Sequence, residues 1–246
     1  MQTEILLLFS LLFIVAFLYA SVGHGGASGY LALMATFAIS PLVMKPTALL
    51  LNLFVSSISF AQFYRGGHFR WKTFWPFVAT SIPFSFLGGT MAIESNVYKK
   101  ILGALLLIPV FRFFFFPNAD PRDQKPSNIP LSLLIGGIIG LLSGMIGIGG
   151  GIILSPILIL LKWTDQKQTA AISAAFIFVN SFAGLAGQLI KGITFTTDMF
   201  LYVAIAFVGG IAGAYFGSLK FPQTALKYVL AIVLALASYK LLFTTA

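Results

Sequence analysis

The chain has 246 residues and no cysteine. Disulfides, thiol nucleophiles and Cys-based zinc or iron–sulfur sites are therefore excluded. A chain held in a bilayer needs no disulfides, so their absence does not set the compartment. Charge is scarce as well: 9% of residues are charged, against about 25% in soluble domains. Only six are acidic, and none lies deep inside an apolar run: Glu94, Asp165 and Asp198 all fall at the ends of such runs. The two histidines, His24 and His68, are far apart in sequence. No acid–base, nucleophilic or metal-binding constellation can be assembled from this set. No catalytic residue, metal ligand or cofactor is assigned, and a membrane enzyme is disfavoured. Strands that alternate apolar and polar residues are missing too, which argues against a transmembrane barrel. Basic blocks with interleaved aromatics are also missing. The net charge of +9 thus gives no reason to expect a nucleic-acid partner, because the Lys and Arg residues sit almost all in short loops and at the ends of apolar runs.

What the chain does contain is apolar sequence, with 59% hydrophobic residues. Stretches near membrane-spanning length recur from end to end and predict an all-α polytopic membrane protein in contact with the lipid bilayer. Helices are expected at 4–20, 28–40, 46–64, 73–93, 97–116, 131–146, 152–162, 167–190, 198–219 and 224–243. The opening run, "MQTEILLLFSLLFIVAFLYA", carries Glu4 and no Lys or Arg before its apolar core. That is the wrong sign for a signal peptide, so a retained helix is expected. One connector is clearly hydrophilic, "PNADPRDQKPSN" at 117–128. It predicts a first transmembrane repeat over 1–116, a linker over 117–130 and a second repeat over 131–246.

The two halves resemble each other. "SVGHGGASGYLAL" at 21–33 echoes "GMIGIGGGIILSP" at 144–156. "TALLLNLF" from Thr47 parallels "TAAISAAF" from Thr169. Gln62, Arg65 and Gly66 have the spacing of Gln188, Lys191 and Gly192, and "FLGGTMA" parallels "IAGAYFG". Matches in the same order at nearly constant offset point to duplication, a habit of secondary transporters.

Length then constrains the path. A helix over 4–40 would run about 55 Å at 1.5 Å per residue, too long for a hydrocarbon core of about 30 Å. The counterpart at 152–162 gives about 16 Å, too short to cross. A broken, re-entrant helix pair meeting at the glycines satisfies both lengths. If each repeat has one such pair plus three transmembrane helices, the repeats are inverted. One face then carries Lys45, Lys99, Lys100, Lys191 and Lys240, and the other carries the remaining ten cations. Counting each pair as a full span gives seven against eight. The inside-positive bias favours the inverted arrangement with a cytoplasmic linker.

The second break, "GMIGIGGGII" at 144–153, has too much glycine for a continuous helix, because each glycine costs about 1 kcal/mol relative to alanine. Irregular backbone at membrane depth is tolerated where protein buries it or where it lines a cavity. A helix that restarts there points its first N–H groups, with their partial positive charge, into that cavity. Two such ends facing each other would clamp a small anionic substrate. Close helix packing is the competing reading. It fits Gly136, Gly140 and Gly144, and Gly209, Gly213 and Gly217, but explains at most one or two of Gly147, Gly149, Gly150 and Gly151. A dinucleotide fingerprint is not satisfied.

Gly144, Gly147 to Gly151 with Ile148 between, Pro156 following, the degenerate copy Gly23-His24-Gly25-Gly26 and the two-repeat length together resemble the TauE/SafE sulfite-exporter family. The resemblance covers essentially the whole chain. It implies a multi-pass permease or exporter of the bacterial cytoplasmic (inner) membrane. Its cargo would be a small sulfur-containing anion, such as sulfite, a sulfonate or a related organosulfur oxyanion. Alternating access of the repeats around the glycine breaks is the expected mechanism, and a passive anion channel with the same backbone site is the alternative. The two half-sites are unequal, with Ala27 where the second has Gly151 and His24 opposite Ile148.

His24 is the only titratable side chain expected near the midplane. Protonated, it would add positive charge beside an anion and could couple transport to protons, with another coupling ion as the alternative partner; the competing reading of His24 is a neutral, hydrogen-bonded histidine that fills space. Asn52 and Asn180 sit inside predicted helices, where an amide donates to an oxyanion or bonds a neighbouring helix. Ser28, Thr47 and Thr169 stand at expected helix starts and read as caps or site-lining hydroxyls. The candidate substrate-binding set is Gly23, His24, Gly25, Gly26, Ser28, Asn52, Gly147, Gly149, Gly150, Gly151 and Asn180. Trp71, Trp75, Trp163 and Phe113 to Phe116 are expected at the lipid surface or interface. A homo-oligomer is compatible with all of this.

Overall fold

The computed structural model describes residues 2–21, 27–115 and 124–220, together with 232, 234–236 and 238–243. Every regular element among them is helical: α1 (Gln2–Ser21), α2 (Ala27–Thr36), α3 (Pro41–Arg65), α4 (Trp71–Thr90), α5 (Ser95–Phe115), α6 (Ile129–Ile146), α7 (Gly151–Leu160), α8 (Gln166–Ile190) and α9 (Thr197–Lys220). Each coincides with an expected segment, and the differences lie at the ends. Pro41 starts α3 five residues early because Ser40 caps it and proline is well placed at the first helical position. Asn128 caps α6, whose first residue, Ile129, lies inside the expected linker. Asp165 and Gln168 close a capping box on α8. The caps are thus Ser40 and Asp165, and the threonines expected there sit further in. Thr47 and Thr169 instead donate to the carbonyls one turn back, Val43 at 2.6 Å and Asp165 at 2.7 Å. Helix α2 stops at Thr36, short of the expected 40, where Ala38 adopts φ 55°.

Three of the described helices, Pro41–Arg65, Ile129–Ile146 and Gln166–Ile190, are long and apolar enough to cross a membrane. Leu42, Trp71, Leu134, Phe182, Ile190, Phe200 and Phe243 are large apolar side chains on the outside. In water that surface would aggregate, whereas lipid matches it. Trp71 is 63% exposed, as expected of an interfacial anchor. Trp163 departs from the same expectation. It is buried and stacks near Phe77 with ring centroids 6.1 Å apart, because the turn after α7 folds back onto α4. Phe116 lies outside the described residues, as do the side chains of Phe113 to Phe115.

Two seams hold the bundle. Along one, α6 lies parallel to α4: Gly136, Gly140 and Gly144 face the backbone carbonyls of Phe77, Ser81 and Ser85, each four residues on from the last. Along the other, Gly209 and Gly213 of α9 face the carbonyls of Phe13 and Phe17 on α1. A Cβ at any of these glycines would collide with backbone, so contact this close requires glycine. Gly89 and Gly187 bring α4 onto α8 in the same way, through the carbonyls of Gly184 and Phe86. Helices α3 and α8 are in contact with each other and each with a seam helix. The chain entering α6 lies beside the chain leaving α7. The Lys125 N–H donates to the Lys162 carbonyl at 2.7 Å, and the Gln124 amide donates to the Asp165 carboxylate at 3.3 Å.

Candidate functional site

Helix α6 ends because Gly147 turns to φ 88°, in the left-handed region. Gly149 and Gly150 follow at φ 74° and 77°. This region costs an L-residue with a side chain roughly 1–2 kcal/mol, so the break is encoded by these glycines. Helix α7 restarts at Gly151, with Gly150 as a cap that has no side chain. The first N–H groups of α7, on Gly151 and Ile152, therefore have neither a helical carbonyl nor a cap side chain to donate to. All five residues from Gly147 to Gly151 are buried.

Side chains of α3 and α8 enclose the break. A Cβ on Gly149 would lie 2.6 Å from Asn52 Nδ2, 2.9 Å from Ile177 Cγ2 and 3.2 Å from Ser181 Oγ. A Cβ on Gly147 would lie 2.9 Å from the Lys45 carbonyl. Lys45 and Asn52 are seven residues apart, two turns along one face of α3. The break thus runs along α3 from about 6 Å to about 17 Å below its start at Pro41. Gly150 is shut in by Ile139 and Phe176, whose nearest atoms would be 2.7 and 2.8 Å from its Cβ.

Hydrogen bonding separates structural groups from free ones. Asn180 donates to the Phe176 carbonyl at 2.8 Å, and its own main-chain carbonyl accepts from Ser85 Oγ at 2.7 Å. Its side-chain oxygen has no partner among the described residues. Asn52 is fully buried, and neither amide atom has a partner among the described residues. The Ser181 hydroxyl is buried and has no partner among the described residues either. An unsatisfied buried polar group costs about 1–3 kcal/mol. Two of them meet at a helix break, a polar point inside an apolar protein. Ser155 Oγ, one turn into α7, is by contrast satisfied by Ser173 and by the Gly151 carbonyl, both at 2.8 Å.

The expected site residues divide accordingly. Gly147, Gly149, Gly150, Gly151 and Asn52 come together, with Asn180 one residue from Ser181 on the same helix. Ser28, in the first turn of α2, is buried and shares a 2.7 Å hydrogen bond with the Tyr19 hydroxyl. Gly23, His24, Gly25 and Gly26 lie outside the described residues. Sequence reasoning missed Ser181, one of many small residues in α8 with no pattern to mark it. It also missed Lys45 as part of the site. There the expected helix start at 46 left the lysine one residue outside α3, which begins at Pro41.

The family profile for the sulfite exporter TauE/SafE matches residues 8–241. The chain belongs to the TauE/SafE family. A probable membrane transporter protein of Sinorhizobium fredii is 35% identical over 99% of this chain and 100% of its own length. A second probable membrane transporter protein, from Methanocaldococcus jannaschii, is 29% identical over 82% of this chain and 79% of its own length. A third, from Bacillus subtilis, is 23% identical over 83% and 82%. No solved structure matches the chain. With the family and the apolar helices together, this TauE/SafE member is a multi-pass membrane transporter.

Proposed function

We propose that this TauE/SafE protein is a secondary transporter of a small sulfur-containing oxyanion, with sulfite as the first candidate. The supporting observation is the convergence of the unpartnered Asn52 amide and Ser181 hydroxyl on Gly149, beside the free N–H end of α7. These groups donate hydrogen bonds, and no carboxylate lies among them to repel an anion. Gly151 and Asn180 complete the wall. Gly23, His24, Gly25, Gly26 and Ser28 are proposed as the opposite wall, supplied by the first repeat. His24 would be the group that couples transport to protons. Its replacement in His24→Gln should flatten the pH profile of uptake, and an unchanged profile rejects that role.

The mechanism we propose is alternating access between inverted repeats, 1–116 and 131–246, in the bacterial inner membrane. Three features support it. Helices α1 to α4 have lengths of 20, 10, 25 and 20 residues, and α6 to α9 have 18, 10, 25 and 24. The seams are reciprocal: α4 lies along α6 as α9 lies along α1, each pairing a helix of one half with one of the other. The α6–α7 pair starts and finishes on the same side, near Gln124 and Asp165, as a re-entrant pair must.

The test is uptake of radiolabelled sulfite into proteoliposomes, with and without an imposed pH gradient, competed by sulfate, thiosulfate, short sulfonates and acetate. Saturable, gradient-driven uptake blocked by sulfur anions is expected. Unsaturable flux that only follows the electrochemical gradient would make the protein a channel. No uptake of any of these anions would overturn the cargo.

A further inference from the structure

A cavity of about 520 Å³ opens where α3, α8 and α9 meet the end of α4. It lies at the far end of α8 from Asp165, and so on the side away from the Gln124 contact. Among the described residues its lining carries two cations, Lys45 and Lys191, and no Asp or Glu. Lys45 is half-buried. Its single described hydrogen bond is a long one, 3.4 Å from Nζ to the Met91 carbonyl, and it has no carboxylate partner among the described residues. Gln188 also lines the cavity. It is 4% exposed, and neither its amide nitrogen nor its amide oxygen has a partner among the described residues. A half-desolvated ammonium and a buried free amide facing one space are costly unless something binds there.

The floor of this vestibule leads to the break. Met145, near the end of α6, lines it, and the Lys45 backbone touches Gly147. Tyr98, also in the lining, donates to the Ile146 carbonyl at 2.8 Å and fixes the end of α6 there. Size separates the two places. A water molecule occupies roughly 30 Å³ in the liquid, so the vestibule has room for an oxyanion together with its hydration shell. The break at Gly149 is closed in by side chains on every side that has been described.

We propose that the vestibule is an outer anion subsite, in which the Lys45 ammonium and the Gln188 amide hold a hydrated oxyanion before it sheds water and passes to the glycine break. Lys191 stands exposed at the rim and raises the local anion concentration. The inference rests on the anion reading above and adds a second, separable binding place with its own residues.

The experiment reads binding at the vestibule without requiring transport. Purified protein is acetylated with acetic anhydride, and the rate at each lysine is followed by mass spectrometry, with and without excess methanesulfonate as the probe. The same measurement is made on Gly149→Leu, which blocks the break. Methanesulfonate should slow acetylation of Lys45 several-fold in both proteins and leave Lys72, on the outside, unchanged. Gln188→Leu should remove most of that protection. If protection disappears in Gly149→Leu, the anion binds at the break alone and the outer subsite is wrong. Absence of protection in wild-type protein that still transports sulfite overturns the subsite and leaves the transport reading standing. Protection of Lys45 in a protein that moves no anion supports the subsite and overturns the transport reading instead. A second variant, Lys45→Gln, gives an independent kinetic check. It should raise KM for sulfite several-fold with kcat little changed, whereas equal loss of both would assign Lys45 a merely structural role.

Discussion

Gly144 lies in helical backbone against the Ser85 carbonyl, whereas Gly147, three residues on, turns to φ 88° and ends the helix. Both are buried glycines in one apolar run. The first is needed for what it lacks outside the backbone, because any Cβ would push α6 off α4. The second is needed for what its backbone can do, because only glycine takes this conformation cheaply. The seam glycines therefore set how closely helices approach, and the break glycines open a gap between helices. Substitutions in the two groups should fail differently.

Gly144→Leu should have the largest effect. Overpacking costs about 1–3 kcal/mol when side chains can shift, and here the obstacle is main chain. Loss of a monodisperse folded peak in detergent is expected, with no transport left to measure. A folded, active Gly144→Leu protein would show that the α4–α6 seam can part freely. Gly149→Leu should insert and fold but lose uptake by about 100-fold or more, since interactions at a binding centre contribute several kcal/mol together. Uptake at the wild-type rate in Gly149→Leu would remove the break from the transport path.

Asn52→Leu sharpens the comparison, because stability and function should move in opposite directions. Removing a buried amide without partners should raise thermal stability by about 1 kcal/mol. Uptake of sulfite should fall about tenfold, the value of one lost hydrogen bond to a charged group. A drop in stability would mean that Asn52 is a structural amide after all. Asp165→Ala should have the smallest effect. Loss of a capping side chain costs about 1 kcal/mol, so melting should shift down slightly while KM stays unchanged. A changed KM would connect the start of α8 to the site.

How much of this was legible in the sequence varies from element to element. Helix α8 was predicted within a residue, because an unbroken apolar run carries it to Ile190, and the capping box of Asp165 and Gln168 starts it one residue before the expected 167. Helix α3 was begun too late, because Pro46 reads locally as a start when it actually sits inside a helix already capped by Ser40. The break at 147–151 was plain from its glycine density. Trp163 was misplaced, since a tryptophan beside a lysine at a helix end has the composition of an interface residue, and only the fold of the turn buries it. Thr47 and Thr169 were visible as a repeated pair, but their role as back-bonded helix residues depends on helix starts several positions earlier.

Composition and periodicity by themselves determined that the chain is helical, lives in a bilayer and breaks a helix at 147–151. These follow from local rules: apolar length, charge scarcity and the cost of glycine in a helix. The tertiary structure decided which polar groups stay unpaired. Asn52 and Asn180 look alike in sequence, yet Asn180 donates one turn back along its own helix and Asn52 does not. It also brought Lys45 beside Gly147, a hundred residues away in sequence. Satisfaction of a hydrogen bond depends on what stands within 3 Å, and no pattern along one chain reports what another helix places there.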